Sequence, residues 1–216
     1  MIITKISIQK DISRCNIYID GEFAFGIDYQ IKQEFDLYKG KTLDEETIQV
    51  LKDKDDIKKA KNKAYKYLSY RQRTCMEMEK YLKSKDFNSH TVENAISQLL
   101  KEGYLDDYKF AETFSLEKSS LKGYGPYRIK YELGNKGIES NIIESILSIY
   151  EEDTEELTRL VLSKYKNIMN EDKDVIYRKV GGFLQRKGHS YDTIKKIINK
   201  ISSGVDWYVL CLYIRM

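Results

Sequence analysis

Cysteine, proline, tryptophan and histidine are all scarce in this 216-residue chain: it has three Cys, one Pro, one Trp and two His. Cys15, Cys75 and Cys211 are widely separated and none belongs to a CxxC pair. His90 and His189 have no second ligand beside them, so a structural zinc site is not expected. Unpaired cysteines suit a reducing, cytoplasmic location better than a disulfide scaffold. The longest apolar run, Tyr208 to Ile214, is far short of the roughly 20 residues that span a bilayer. Lys5 and Lys10 interrupt the start, so no secretory leader is expected. Catalytic signatures are missing too, with no GxGxxG, Walker loop, GxSxG or HExxH. These absences point away from enzymes, metal sites and membrane spans.

What the chain does have is charge, tyrosine and a repeat. Charged residues make up 33%, yet the net charge is only +3, so strong global attraction to nucleic acid is not indicated. The charge is uneven. Residues 60–106 hold 9 basic against 6 acidic groups and residues 153–216 hold 12 against 8, while residues 1–59 and 107–152 are each net acidic. Tyrosine reaches 18 residues. Interleaved Tyr and Lys can stack bases and hold phosphates, although a compositional bias toward Ile, Lys, Asn and Tyr gives the same count.

The repeat has a spacing of 51 residues. Aligned from Met78, Ile129 and Val180, the chain places Leu82, Leu133 and Leu184 in one column and Lys85, Lys136 and Lys187 in another. Asp86, Gly137 and Gly188 follow, then Val92, Ile143 and Ile194, then Ile96, Leu147 and Ile198. Such a period marks units that bury their faces against one another. The fold class expected is mainly α, with tandem three-helix repeats in an elongated, curved array able to grip an extended partner. The three lysines fall at helix ends, where a cation complements the dipole.

The head is expected to differ. Residues 2–9, CNIYID at 15–20 and the alternation of Phe23, Phe25 and Ile27 read as short strands, and Asp20-Gly21 is a type I′ hairpin signal. The expected organisation is an antiparallel β-rich N-terminal unit with two short helices at 1–56, repeats at 57–106, 107–152 and 153–203, and an irregular tail at 204–216. One short helix lies near Asp28 to Glu34; the other starts at Thr42 or Asp44 and carries Ile48 and Leu51. The first repeat opens with a helix from Ile57 to Tyr70, then Thr74-x-x-Glu77 makes a capping box and Asn88-Ser89 starts the third helix, which carries Val92, Ile96, Leu99 and Leu100. The second opens at Asp106 or Asp107, buries Phe110, Ala111, Phe114 and Leu121, breaks at Gly123-Tyr124-Gly125, and restarts at Pro126. The third opens with a second box, Asp153-x-x-Glu156, with Leu157, Leu160, Val161 and Ile168 on its first apolar face. Two motifs have a functional reading beside the structural one. Asp106-Asp107 could bind a metal or transfer protons, but helix capping is the expected role. Gly123-Tyr124-Gly125 could cradle a phosphate, but a turn is expected.

The strings AYKYLSYRQRTCMEMEKYLKSKDF, LLKEGYLDDYKFAETF and KGYGPYRIKYELGNKGI resemble the RecX family of bacterial recombination regulators. Arg71 and Arg73 before a helix, Gly103-Tyr104-Leu105-Asp106-Asp107 before Phe110-Ala111, and Gly125 before Arg128-Ile129 and Leu133 carry the match over about residues 60–150. The third repeat matches in pattern only, and the head with YIDGEFAF resembles the family's Gram-positive members. The tail GVDWYVLCLYIRM departs from the helical pattern. The resemblance implies a monomer that binds RecA–single-stranded DNA filaments in their groove and mostly inhibits RecA ATPase, strand exchange and SOS-related activity. It implies partners in the RecA filament and single-stranded DNA, and contacts from Arg71, Arg73, Lys122, Tyr124, Arg128 and Lys130. Two other classes stay open: a plain helical DNA-binding module without a recombinase partner, and a metal-dependent nuclease using Asp106 and Asp107.

Overall fold

The computed structural model describes residues 1–168 and 171–202. The side chain of Ile168, Cys211 and the tail 204–216 lie outside the described residues, and so do the expectations attached to them. The chain divides into two units, Met1–Leu105 and a second that begins at Asp106.

In the first unit, β1 (Ile3–Ile8), β2 (Arg14–Ile19) and β3 (Glu22–Asp28) form an antiparallel sheet in that order. Asp20 and Gly21 turn β2 into β3 with φ of 49° and 97°, as a type I′ turn requires. Ile3, Cys15, Ile17, Phe25 and Ile27 point to one core with Ile31, Leu37, Leu43 and Leu51. The Asp28 carboxylate accepts the Gln30 N–H and starts α1 (Tyr29–Glu34).

The sequence suggests two separate helices carrying Ile48 and Ile57, but the structure has one, α2 (Glu45–Leu68). The charged stretch Asp53 to Asp56 would not join them on hydropathy alone. Asp55 explains the continuity, because it is 2% exposed and serves the sheet. Its carboxylate accepts two bonds from Arg14, at 3.2 and 2.8 Å, and one from the Asp28 N–H at 2.8 Å. Lys59 adds an ion pair at 2.9 Å. Burial alone would raise the Asp55 pKa; the bonds from Arg14 and Lys59 outweigh it and hold the group below its usual range. A buried charge is tolerated when it is paired in this way.

The C-terminal half of α2 joins α3 (Cys75–Lys83) and α4 (Ser89–Lys101) in the first repeat. In the second unit, α5 (Asp107–Lys122), α6 (Pro126–Asn135) and α7 (Ser140–Ser148) form the second repeat. The third contains α8 (Thr154–Tyr165), a 3-10 turn, α9 (Lys173–Ile176), a π-turn at Tyr177–Gly181, α10 (Gly182–Lys187) and α11 (Tyr191–Ser202). The 51-residue register holds in three dimensions. Met78, Ile129 and Val180 are fully buried, as are Leu82, Leu133 and Leu184. Asp86, Gly137 and Gly188 all adopt the left-handed conformation, at φ of 65°, 76° and 84°. The Ile138 and His189 N–H groups then reach back to the Leu133 and Leu184 carbonyls, each at 3.2 Å, which closes the helix end.

Thr74, Asn88, Asp106 and Asp153 cap their helices by accepting the N–H of Glu77, Thr91, Lys109 and Glu156. Asp106 is thus the cap of its pair and Asp107 lies in the first turn. Two leucines depart from expectation. Leu121 is 81% exposed and Leu100 45% exposed, although Leu121 lies two turns beyond buried Phe114 on nearly the same face. Periodicity fixes the angle of a side chain around its helix, not whether a neighbour stands at that height. Among the described residues no helix is long and apolar enough to cross a membrane.

Candidate functional site

The expected contact residues fall in two places, one in each unit. In the first unit, α2 ends at Ser69 and the chain runs to the Thr74 cap. Arg71 stays half exposed and clamps Glu77 with two bonds, at 3.0 and 3.2 Å, while also donating to the Gln72 carbonyl at 2.9 Å. Arg73 lies over the Tyr67 ring, its guanidinium carbon 3.8 Å from the centroid. Tyr67 stacks on Tyr81 at 3.9 Å, and Lys85 sits 5.5 Å from the Tyr81 ring. The result is a cation–aromatic column that desolvates part of Arg73. Both arginines therefore have local partners.

In the second unit, Lys122, Tyr124, Arg128 and Lys130 surround the joint between the second and third repeats. The joint is built from helix ends. The first N–H groups of α6 lack intrahelical partners, and so do the last carbonyls of α10. They satisfy each other: the Gly125 N–H donates to the Lys187 carbonyl at 2.8 Å and the Tyr127 N–H to the Gly188 carbonyl at 3.1 Å. Pro126, between them, has no N–H to place. Close approach demands glycine, since a Cβ on Gly125 would meet the Gly188 oxygen at 2.4 Å and one on Gly188 would meet the Arg128 nitrogen at 2.3 Å. Gly123-Tyr124-Gly125 is consequently a turn, left-handed at Gly123 (φ 57°), with the Gly125 N–H already engaged.

The side chains tighten this joint. Arg128 Nη1 donates to the Arg186 carbonyl at 3.1 Å, its Nη2 pairs with Glu132 at 3.2 Å, and its guanidinium lies 4.5 Å from the Tyr124 centroid. Lys187 Nζ donates to the Lys122 carbonyl at 2.6 Å and lies 5.0 Å from the same ring. Tyr124 itself is half-buried against the core of the second repeat, where its carbonyl accepts the Tyr150 hydroxyl at 3.0 Å. Lys122 and Lys130 are exposed. The reading that Arg128 and Lys130 both face solvent therefore holds for Lys130 alone; Arg128 is half-buried and tied across the joint.

Burial holds the Lys187 pKa below its usual range, helped by repulsion from Arg128, Lys164 and Lys122. A group of cations that already repel one another is a place where an anion is welcome. Lys187 is read from sequence only as a helix-end cation. The signal that could have promoted it was its place in the lysine column, which sets it one residue before the left-handed glycine of the joint. Lys136, in the same column, lies over Phe110 and Phe114 at 5.5 and 5.7 Å.

His189 is a second surprise. It occupies the column of half-buried Phe87 and buried Ile138 and is sheltered about as well as Ile138, at 6% exposure. Its Nδ1 lies 2.5 Å from Glu152 Oε1 and its Nε2 3.1 Å from the Gly123 carbonyl, while Thr193 donates to Glu152 Oε2 at 2.5 Å. Burial alone would raise the Glu152 pKa, but the bonds from His189 and Thr193 outweigh it and lower it. A polar linchpin thus replaces an apolar anchor in the third repeat. Among the described residues no group of three or more His, Cys, Asp or Glu could hold a metal ion.

Comparison with known proteins matches this architecture part by part. The family model for the regulatory protein RecX N-terminal domain fits residues 1–44, and those for the first, second and third RecX three-helix domains fit residues 60–99, 106–147 and 151–198. Regulatory protein RecX of Clostridium tetani is 33% identical over 92% of this chain and 94% of its own length, and that of Bacillus subtilis is 34% identical over 92% of this chain and 76% of its own. A crystal structure of regulatory protein RecX superposes with a TM-score of 0.76 at 30% identity, covering 92% of this chain and 98% of that one. RecX from Lactobacillus salivarius superposes at 0.62 with 31% identity, over 69% of this chain and 98% of that one. With a β head and three capped three-helix units matched in order, the chain belongs to the RecX family of regulatory proteins.

Proposed function

We propose that this protein regulates RecA by binding RecA–single-stranded DNA filaments in their groove and, for the most part, inhibiting their ATPase, strand exchange and SOS-related activity. It acts in the cytoplasm as a monomer, catalyses no reaction and uses no cofactor. The observation that carries the reading is the family match, which runs through the head and all three repeats in order. The geometry supplies surfaces suited to it. Lys122, Arg128 and Lys187 converge at the joint of the second and third repeats, and exposed Lys130 lies two residues beyond Arg128 on α6. A filament presents phosphates and acidic protein surface along an extended path, so many weak basic contacts add up. In this reading Lys122 and Lys130 touch the filament directly, Arg71 and Arg128 contribute positive potential from their clamped positions, and Arg73 and Tyr124 hold the surfaces in shape.

The test is the ATPase of a RecA recombinase on single-stranded DNA with this protein titrated in. Inhibition that saturates as this protein fills the filament is expected; an unchanged rate with no binding to the filament would reject the reading and favour the plain DNA-binding module.

A further inference from the structure

A groove lies beside the joint, lined mainly by the third repeat. Tyr127 of α6, Tyr177 and Arg178 of the π-turn, Gln185 of α10 and Tyr191 of α11 line it, with Gly181 and Gly182 among its lining residues. Its volume is about 570 Å³, within the range of small-ligand sites. The tyrosines are not core residues. Tyr127 is 67% exposed, Tyr177 42% and Tyr191 64%. Tyr131, one helical turn beyond Tyr127 on α6, is 69% exposed, and Lys130 shares that face. Exposed aromatic surface of this extent costs hydration free energy unless a partner covers it.

Two further features single the groove out. The first is the π-turn at Tyr177–Gly181. Such turns are rare and recur at functional sites. Here Tyr177, at the start of this turn, lines the groove together with Tyr191. The second is charge. Residues 173–200 carry eight Lys and Arg against only Asp174 and Asp192, so the rings are set in a cationic field.

We infer that this tyrosine groove is a stacking site for unpaired bases of single-stranded DNA, with Arg178 and Lys130 placed for the flanking phosphates. Only an unpaired strand offers free base faces together with closely spaced phosphates, and every base has a face that an aromatic ring can stack on. The site therefore takes bases without reading their sequence. The inference rests on the proposed function in taking the strand to be DNA, and it adds that the third repeat reaches the bases rather than the recombinase surface alone.

The experiment compares anisotropy of a labelled oligothymidylate with that of a labelled abasic strand of equal length, using the full chain and three variants. The first is Tyr177→Ala with Tyr191→Ala, the second the same pair to Phe, and the third Tyr127→Ala. Circular dichroism melts check that each variant folds. The unaltered chain should prefer the base-bearing strand. Each alanine should cost about fivefold or more on that strand, little on the abasic one, and the phenylalanines should restore binding, because stacking needs the ring and not the hydroxyl. No preference for bases in the unaltered chain overturns the inference. So does unchanged strand binding in folded alanine variants; if those same variants fail to bind the recombinase filament, the groove is a protein-binding face. The ATPase titration is run in parallel: inhibition with no base preference would reject the stacking site and leave the regulator reading standing.

Discussion

At the scale of single residues, the polar groups matter because each has one specific partner. Asp106 caps α5 by accepting the Lys109 N–H at 2.9 Å. Asp106→Asn should leave stability nearly unchanged, since Asn caps as well as Asp, whereas Asp106→Ala should cost about 1 kcal/mol. Denaturant melts check this, and filament binding should survive in both variants; loss of binding in a stable Asp106→Asn protein would point to a functional carboxylate. Glu152 gives a prediction in pH. Its folded pKa lies below the unfolded one, so its contribution is fully present above the unfolded value of about 4.3 and is lost as pH falls through the lower folded value. Thermal midpoints of the wild type and of Glu152→Gln should therefore differ most near neutral pH and converge in acid. A gap that widens on acidification would contradict the assignment of Glu152 as a bonded carboxylate facing His189 and Thr193.

At the scale of elements, each three-helix repeat joins its last two helices through a left-handed residue, and its apolar columns hold it. Leu82, Leu133 and Leu184 have no exposed surface, so truncation to Ala should cost on the order of 2–5 kcal/mol at each. The three variants should behave alike in urea melts; three neutral results would make the shared register accidental. The sequence made these columns legible because full burial admits few residue types. It did not make α2 legible as one helix, because Asp55 looks polar in isolation and is buried only through Arg14 in the sheet. Nor did it separate Lys136 and Lys187 from ordinary helix-end cations, because the rings of Phe114 beside Lys136 and of Tyr124 beside Lys187 come from other parts of the chain.

At the scale of the whole molecule, a net charge of +3 is too small for nonspecific attraction to dominate, so local surfaces must supply the affinity. Binding to a nucleotide-stabilised recombinase filament should be tighter than to naked single-stranded DNA at physiological salt. Anisotropy on labelled DNA, with and without recombinase, measures the difference, and equal affinities would favour the plain DNA-binding module. Lys130→Glu should weaken filament binding without lowering stability. Arg128→Glu should do both, because it also removes the bond to the Arg186 carbonyl and the contact with Tyr124. A loss of stability in Lys130→Glu as large as in Arg128→Glu would mean that its exposed position is misassigned.

The sequence by itself determined the β head, the caps, the three-unit register and the family, because each depends on local chemistry: turn residues with positive φ, side-chain oxygens placed to cap, and apolar spacing at the helical period. Only the tertiary structure decided which charged and aromatic side chains are available to a partner. Arg73 and Arg128 look like free cations in sequence and become half-buried through rings and carbonyls supplied by other turns of the chain. Leu121 looks like core and stays in solvent. Tyr127, Tyr177 and Tyr191 are separated by up to 64 positions in the chain, and a π-turn and a joint of two helix ends bring them to one groove. Proximity of that kind arises from packing between elements, which no local pattern encodes.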